Sequence, residues 1–124
     1  MDNVMEKITD SELEIMKVLW AAESPLPLST IRSAIQNLMS WESATIKTLL
    51  ARLVSKKAVS QEKREVFYYS PLVSEEEYDS WATTRLIERL YNGKAGNLVA
   101  ALLNADGITA DDIDELRRMF LREE

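Results

Sequence analysis

Apolar residues recur along this chain at helical spacing, interrupted once by a stretch in which they alternate. The first helical block begins after Thr9. There Thr-Asp-Ser-Glu has the form of a capping box, with Thr9 as N-cap and Glu12 three positions on. Leu13, Met16, Leu19 and Trp20 form its apolar stripe, and Ile15 and Val18 widen it, which predicts neighbours on more than one side. Pro25 and Pro27 cannot continue a helix and favour a short extended edge strand. A second helix is predicted from about Leu28 to Leu38, with Leu28, Ile31, Ile35 and Leu38 facing inward and Ser29 as a candidate cap. After the short loop Met39-Ser40-Trp41, a third helix runs from about Ser43 to Lys56. Ile46, Leu49, Leu50, Leu53 and Val54 give it a full core-facing stripe. Two short helices joined tightly, the second of them basic, form a helix-turn-helix pattern.

The alternating stretch follows at once. Val59 to Lys63 and Val66 to Ser70 are predicted strands, joined by a charged turn near Lys63-Arg64-Glu65. A hairpin in that place makes the pattern a winged helix. Of Phe67, Tyr68 and Tyr69, one or two are expected to pack the hairpin against the helices; stacking on single-stranded bases is the other use of such a run. Pro71 closes the segment. Ser74 and Glu77 then form a second capping box, opening a long helix with Tyr78, Trp81, Leu86 and Leu90 among its apolar positions. Asn92-Gly93 stops it, with Gly93 suited to a left-handed cap. A short helix from about Gly96 to Asn104 carries Leu98 and Leu102. Asp106-Gly107 is a turn, and Thr109 caps a last helix with Ile113, Leu116 and Phe120 on its apolar face and Arg117, Arg118 and Arg122 in its later turns. The fold class is therefore mainly α. A winged helix-turn-helix domain (three helices plus a small antiparallel sheet) spans residues 1–73, and a helical arm spans residues 74–124.

Composition removes several chemistries. The 124 residues include no cysteine and no histidine. That excludes disulfides, the usual ligands of zinc, copper and iron–sulfur sites, and Cys or His nucleophiles and bases. No metal and no cofactor are expected. The acids cluster at helix starts, where capping and solvation explain them, and no converging catalytic constellation can be named. No window approaches the roughly 18 unbroken apolar residues of a membrane span, and the mixed-charge start lacks an apolar signal core. A soluble cytoplasmic protein without a membrane partner is expected.

Charge sharpens the picture. The net charge is −6, yet residues 1–73 hold nine basic and nine acidic side chains, so residues 74–124 carry the whole excess. Residues 43–64 hold six basic groups against one acid, Glu62. Affinity for phosphate follows the local field rather than the total. The outer face of the third helix presents Ser43, Ala44, Thr45, Lys47, Thr48, Arg52, Ser55 and Lys56. Short side chains near its start allow close approach to a major groove. Hydroxyls and a lysine there can reach base edges or phosphates, Arg52 can bridge to the backbone, and the helix N-terminus adds free N–H groups. Lys63 and Arg64 lie where a wing meets a flanking phosphate or minor groove. A solvated basic helix without a ligand gives the same pattern. The arm has more apolar positions than three short helices can bury alone, which predicts a homodimer through Tyr78, Trp81, Leu86, Leu90, Leu98, Leu102, Ile113, Leu116 and Phe120; folding back on the first domain is the alternative.

The segments ITDSELEIMKVLW, TIKTLLARLVSKK and FYYSPLVSEEEY, in this order and spacing, and more loosely NLVAALL, resemble the family of penicillinase and methicillin-resistance repressors, BlaI and MecI, with the copper-responsive repressor CopY. The likeness runs from Ile8 to the C-terminus. It implies a cytoplasmic homodimeric repressor with a winged-helix reader of double-stranded operator DNA and a helical dimerisation arm. Family operators are inverted repeats built on TACA and TGTA half-sites. The match to the family's recognition helix points to Thr45, Lys47, Thr48 and Arg52, with Ser43 and Ala44 near the base edges. The chain also departs from the family. The metal-binding Cys-x-Cys pairs of CopY are absent. The penicillinase repressors are cut after an asparagine and before a phenylalanine, where this chain has Ala101 and Leu102, so release through a sensor and protease stays an open question. The family often has glycine after the recognition helix, and Ala58 stands there; a left-handed cap at Ala58 costs about 1 kcal/mol. A winged helix used only for protein binding is the alternative function.

Overall fold

The computed structural model describes residues 3–121, with the side chains of Phe120 and Leu121 outside the described set. A 3-10 turn (Val4–Lys7) precedes α1 (Asp10–Ala21), β1 (Leu26–Pro27), α2 (Leu28–Leu38), α3 (Ser43–Ser55), β2 (Val59–Lys63) and β3 (Phe67–Pro71). Then come α4 (Glu75–Tyr91), α5 (Ala95–Leu103) and α6 (Ala110–Leu121). Contacts divide the chain into Met1–Trp81 and Ala82–Glu124, so the start of α4 belongs with the first unit. Among the described residues, no helix is long and apolar enough to cross a membrane.

Helix starts follow local chemistry. Thr9 Oγ1 accepts the Glu12 amide at 3.2 Å and Glu12 Oε1 accepts the Thr9 amide at 3.0 Å, closing the capping box. Ser74 with Glu77, and Thr109 with Asp112, close the same reciprocal pair at α4 and α6. The Ser74 amide and hydroxyl hold the Glu77 carboxyl below its ordinary value. At α2 the expected Ser29 cap is absent. Pro27 is the N-cap and no side chain caps the end, because the proline fixes the extended entry geometry and leaves Ser29 one residue inside the helix.

The first unit packs α1, α2 and α3 around Ile15, Met16, Leu19, Ile31, Ile35, Ile46, Leu50 and Leu53, with Ala58 and Val59 closing the core under the sheet. Each fully buried aliphatic side chain contributes about 1.5–3 kcal/mol. The inward line of α1 is centred on Ile15, Met16 and Leu19, whereas Leu13, Val18 and Trp20 are only partly buried. Leu38 departs from its expected inward place: it is 75 % exposed. It occupies the last residue of α2, past the layer where Ile31 and Ile35 meet the core, and rims an apolar cleft with Val18 and Ala34.

The sheet is antiparallel in the order β1-β3-β2. Leu26 pairs with Tyr69 at one edge, and Lys63 pairs with Phe67 at the tip of the hairpin. Pro27 sits on the edge strand, where its missing N–H breaks no ladder. Strand β3 begins at Phe67, one residue later than the alternation predicts, since Val66 belongs to the turn and its carbonyl accepts the Arg64 amide at 3.0 Å. Trp20 Nε1 donates to the Val73 carbonyl at 2.8 Å. Its ring lies 5.6 Å from Tyr78, which lies 5.7 Å from Trp81.

The exit from α3 differs from the expectation at Ala58. Lys57, with φ 67°, is the left-handed residue. The Lys57 amide donates to the Val54 carbonyl and the Ala58 amide to the Leu53 carbonyl, each at 3.0 Å. That is a Schellman motif with Lys57 at C′ and the fully buried Ala58 as its apolar C″ residue. Asn92 (φ 53°) and Gly93 (φ 85°) end α4 in the same region.

In the second unit, neither α4 nor α5 contributes a buried residue. Leu86, Leu90, Leu102, Leu103 and Met119 are exposed, Leu90 to 60 %. Leu98, Ile113 and Leu116 are half-buried, as is Trp81 at the end of the first unit, and Ala101 lies exposed on α5 beside Leu102. Phe120 lies on α6 with its side chain outside the described set, and Arg122 lies outside the described residues.

A candidate DNA-reading face on the third helix and wing

The stripe that buries Ile46, Leu49, Leu50 and Leu53 turns the opposite face of α3 to solvent. Ser43, Ala44, Thr45, Lys47, Thr48 and Arg52 are all exposed there. Ala44, Thr45, Thr48 and Arg52 line one shallow depression of about 290 Å³. Short side chains at its N-terminal end and a guanidinium at its far end leave room for a base edge between them. No side chain caps α3, whose N-cap is Glu42, so its first amides stay available to an anion.

Lys47 faces elsewhere. It lines a second cleft together with Lys63 of the wing and Arg32 of α2. The structure therefore brings Lys47 and Lys63 to one place and Thr45, Thr48 and Arg52 to another. Arg64 lines neither: its Nε donates to Glu62 Oε1 at 2.7 Å, and its guanidinium lies 4.5 Å from the Tyr68 ring centroid. Lys63 Nζ lies 5.7 Å from the Phe67 ring centroid. Both wing cations thus rest on aromatic faces of their own hairpin. Tyr69, between sheet and helices, has its phenol pushed above its ordinary value by burial.

Lys56 does not join the exposed basic face. Its Nζ sits 2.6 and 2.8 Å from the two Glu12 carboxylate oxygens and donates to the Lys7 carbonyl at 2.7 Å. Glu12 is 1 % exposed. The pair ties the end of α3 to the start of α1. Sequence patterning missed this because 44 residues separate the partners and the capping role alone accounts for Glu12. Arg32 was missed for a related reason: as the lone cation of α2, it gains meaning only when the wing folds beside it.

Three helices, a three-stranded sheet and a basic hairpin directly after the third helix define a winged-helix DNA-binding fold. The chain belongs to the penicillinase repressor family, whose model matches residues 8–122. It is 32 % identical to the penicillinase repressor of Bacillus licheniformis, over 92 % of this chain and 89 % of that one. It is 29 % identical to the methicillin resistance regulatory protein MecI of Staphylococcus aureus, over 97 % and 98 %. The solution structure of the DNA-binding domain of the repressor BlaI matches with a TM-score of 0.55 at 34 % identity, covering 63 % of this chain and 94 % of that domain. The monomeric form of Bacillus licheniformis BlaI in complex with the blaP half-operator matches with a TM-score of 0.51 at 36 % identity, covering 57 % and 87 %.

Proposed function

We propose that this protein is a cytoplasmic homodimeric transcriptional repressor that binds inverted-repeat operators of the TACA/TGTA type. Helix α3 enters the major groove, with Ser43, Ala44, Thr45 and Thr48 toward base edges. Lys47 and Arg52 hold phosphates or bases, and Lys63 and Arg64 of the wing meet the flanking backbone. The observation that carries this reading is the exposed, uncapped basic face of α3, on a fold matched by a repressor solved on its half-operator. Dimerisation through α4, α5 and α6 is supported by the apolar side chains those helices leave exposed, Leu86, Leu90 and Leu102 among them. Tyr78 already packs on Trp20 of its own chain, so the pairing surface centres on the later residues Leu86, Leu90, Leu98, Leu102, Ile113, Leu116 and Phe120.

A fluorescence-anisotropy titration with a TACA/TGTA inverted-repeat duplex and a scrambled duplex of equal length tests the reading. Saturable preference for the inverted repeat is expected. Equal affinity for the two sequences would sink it in favour of a winged helix that binds protein.

A further inference from the structure

A cleft of about 490 Å³ opens between the start of α2, the outer face of α3 and the wing. Three cations from three elements line it: Arg32, Lys47 and Lys63. Among the described residues, Arg32 and Lys47 form no ion pair. Glu65 is the one carboxylate in the lining, so the cleft keeps an excess of positive charge. The rest of its wall is largely apolar and includes Leu28, Phe67 and Tyr69. Tyr69, whose phenol burial holds above its ordinary value, stays neutral like any tyrosine at neutral pH and adds no second negative charge. An inorganic anion satisfies such cations but leaves the apolar wall wet. A neutral hydrocarbon covers the wall but leaves like charges crowded. The complementary occupant carries one anionic group on a small aromatic body, and the volume falls in the roughly 300–1,000 Å³ range of small-molecule sites.

We propose that this cleft binds a small aromatic anion, and that its occupation excludes DNA from α3 and the wing. The second half rests on the operator reading above, because Lys47 and Lys63 serve both ligands; the first half does not. Exclusion is reciprocal, so operator binding weakens the anion by the same factor.

The test uses the full-length protein, isotope-labelled and free of DNA, titrated with 2-naphthoate in an amide-shift NMR experiment. Its neutral counterpart 2-naphthamide and inorganic phosphate form separate arms. Saturable shifts are expected at Ser29, Arg32, Lys47 and residues 63–69, with naphthoate at least about tenfold tighter than naphthamide or phosphate. Arg32→Gln should weaken naphthoate about tenfold in a spectrum otherwise unchanged, and Glu65→Gln should tighten it. If Arg32→Gln disturbs folding, Lys63→Gln on the exposed hairpin gives the same readout. In a second experiment naphthoate should displace labelled inverted-repeat duplex, with about tenfold more required for Arg32→Gln. Naphthamide or phosphate binding as tightly as naphthoate, or shifts confined to α4–α6, overturns the site. Naphthoate filling the cleft with operator affinity unchanged overturns the exclusion. A protein that bound no operator would still have its site decided by the titration without DNA.

Discussion

Lys47 and Arg52 are exposed on the same helix and line different depressions, so each should contribute to operator binding on its own. Lys47→Ala and Arg52→Ala should each weaken operator binding on the order of tenfold at moderate salt, with folding intact. A lost phosphate contact should also flatten the dependence of log K on log salt by about 0.9. An anisotropy titration at several salt concentrations measures both, and unchanged affinity in both variants rules out the assigned face. The two partners of the Glu12–Lys56 pair should respond unequally to replacement. Lys56 is 25 % exposed in its side chain and can turn to water, whereas Glu12 cannot. Lys56→Met strands a buried carboxylate and should cost about 3 kcal/mol. Glu12→Gln keeps an acceptor for the Thr9 amide and should cost about half that. Urea unfolding distinguishes them, and equal costs would contradict the asymmetry. At Lys57, replacement by glycine relieves a left-handed side chain and should raise stability by about 0.5–1 kcal/mol, after the extra freedom of the unfolded chain is counted.

Elements were legible in the sequence wherever the determining chemistry is local. The capping boxes at Thr9 and Ser74, the Thr109 cap and the stripe of α3 each lie within a few residues and stand where the pattern puts them, and the left-handed exit of α4 begins at Asn92, one residue ahead of Gly93. The misses are of two kinds. The Schellman cap at Lys57 carries no glycine to announce it, so the family habit pointed one residue too far. Leu38, Arg32 and the Glu12–Lys56 pair depend on what another element brings alongside, which periodicity does not encode. The site was legible as a helix face and a wing, but not as two separate depressions. Glu77 is held below its ordinary value in the folded chain. Its contribution is therefore present above the unfolded carboxyl value and lost as pH falls through the folded one. The first turn of α4 should loosen on acidification, seen as collapse of the Ser74 and Glu77 amide protection, and Glu77→Gln should blunt that change.

At the scale of the molecule, charge is segregated. The candidate reading face belongs to a segment with balanced charge, while residues 74–124 carry the acidic excess together with the exposed Leu86, Leu90, Leu102 and Leu103. On the proposed reading, acidic groups beside the apolar face of the arm repel nucleic acid and favour pairing with a second copy. Replacing Leu98 and Leu102 together with lysines should leave monomers in a sedimentation experiment. A mass that stays dimeric would move the interface elsewhere. Linking two readers should make a full inverted repeat bind about a hundredfold tighter than one half-site, and the double lysine variant should lose that margin while keeping half-site affinity.

The wing cations resting on their own tyrosine and phenylalanine have a thermodynamic corollary. A long basic side chain free in solvent gives up roughly 0.5–1.5 kcal/mol of rotational freedom when a ligand fixes it. Lys63 and Arg64 have surrendered part of that freedom before any ligand arrives. Calorimetry should then show a less unfavourable entropy of association for this hairpin than for a Phe67→Ala, Tyr68→Ala variant, in which Lys63 begins unrestrained and Arg64 keeps only its ion pair with Glu62.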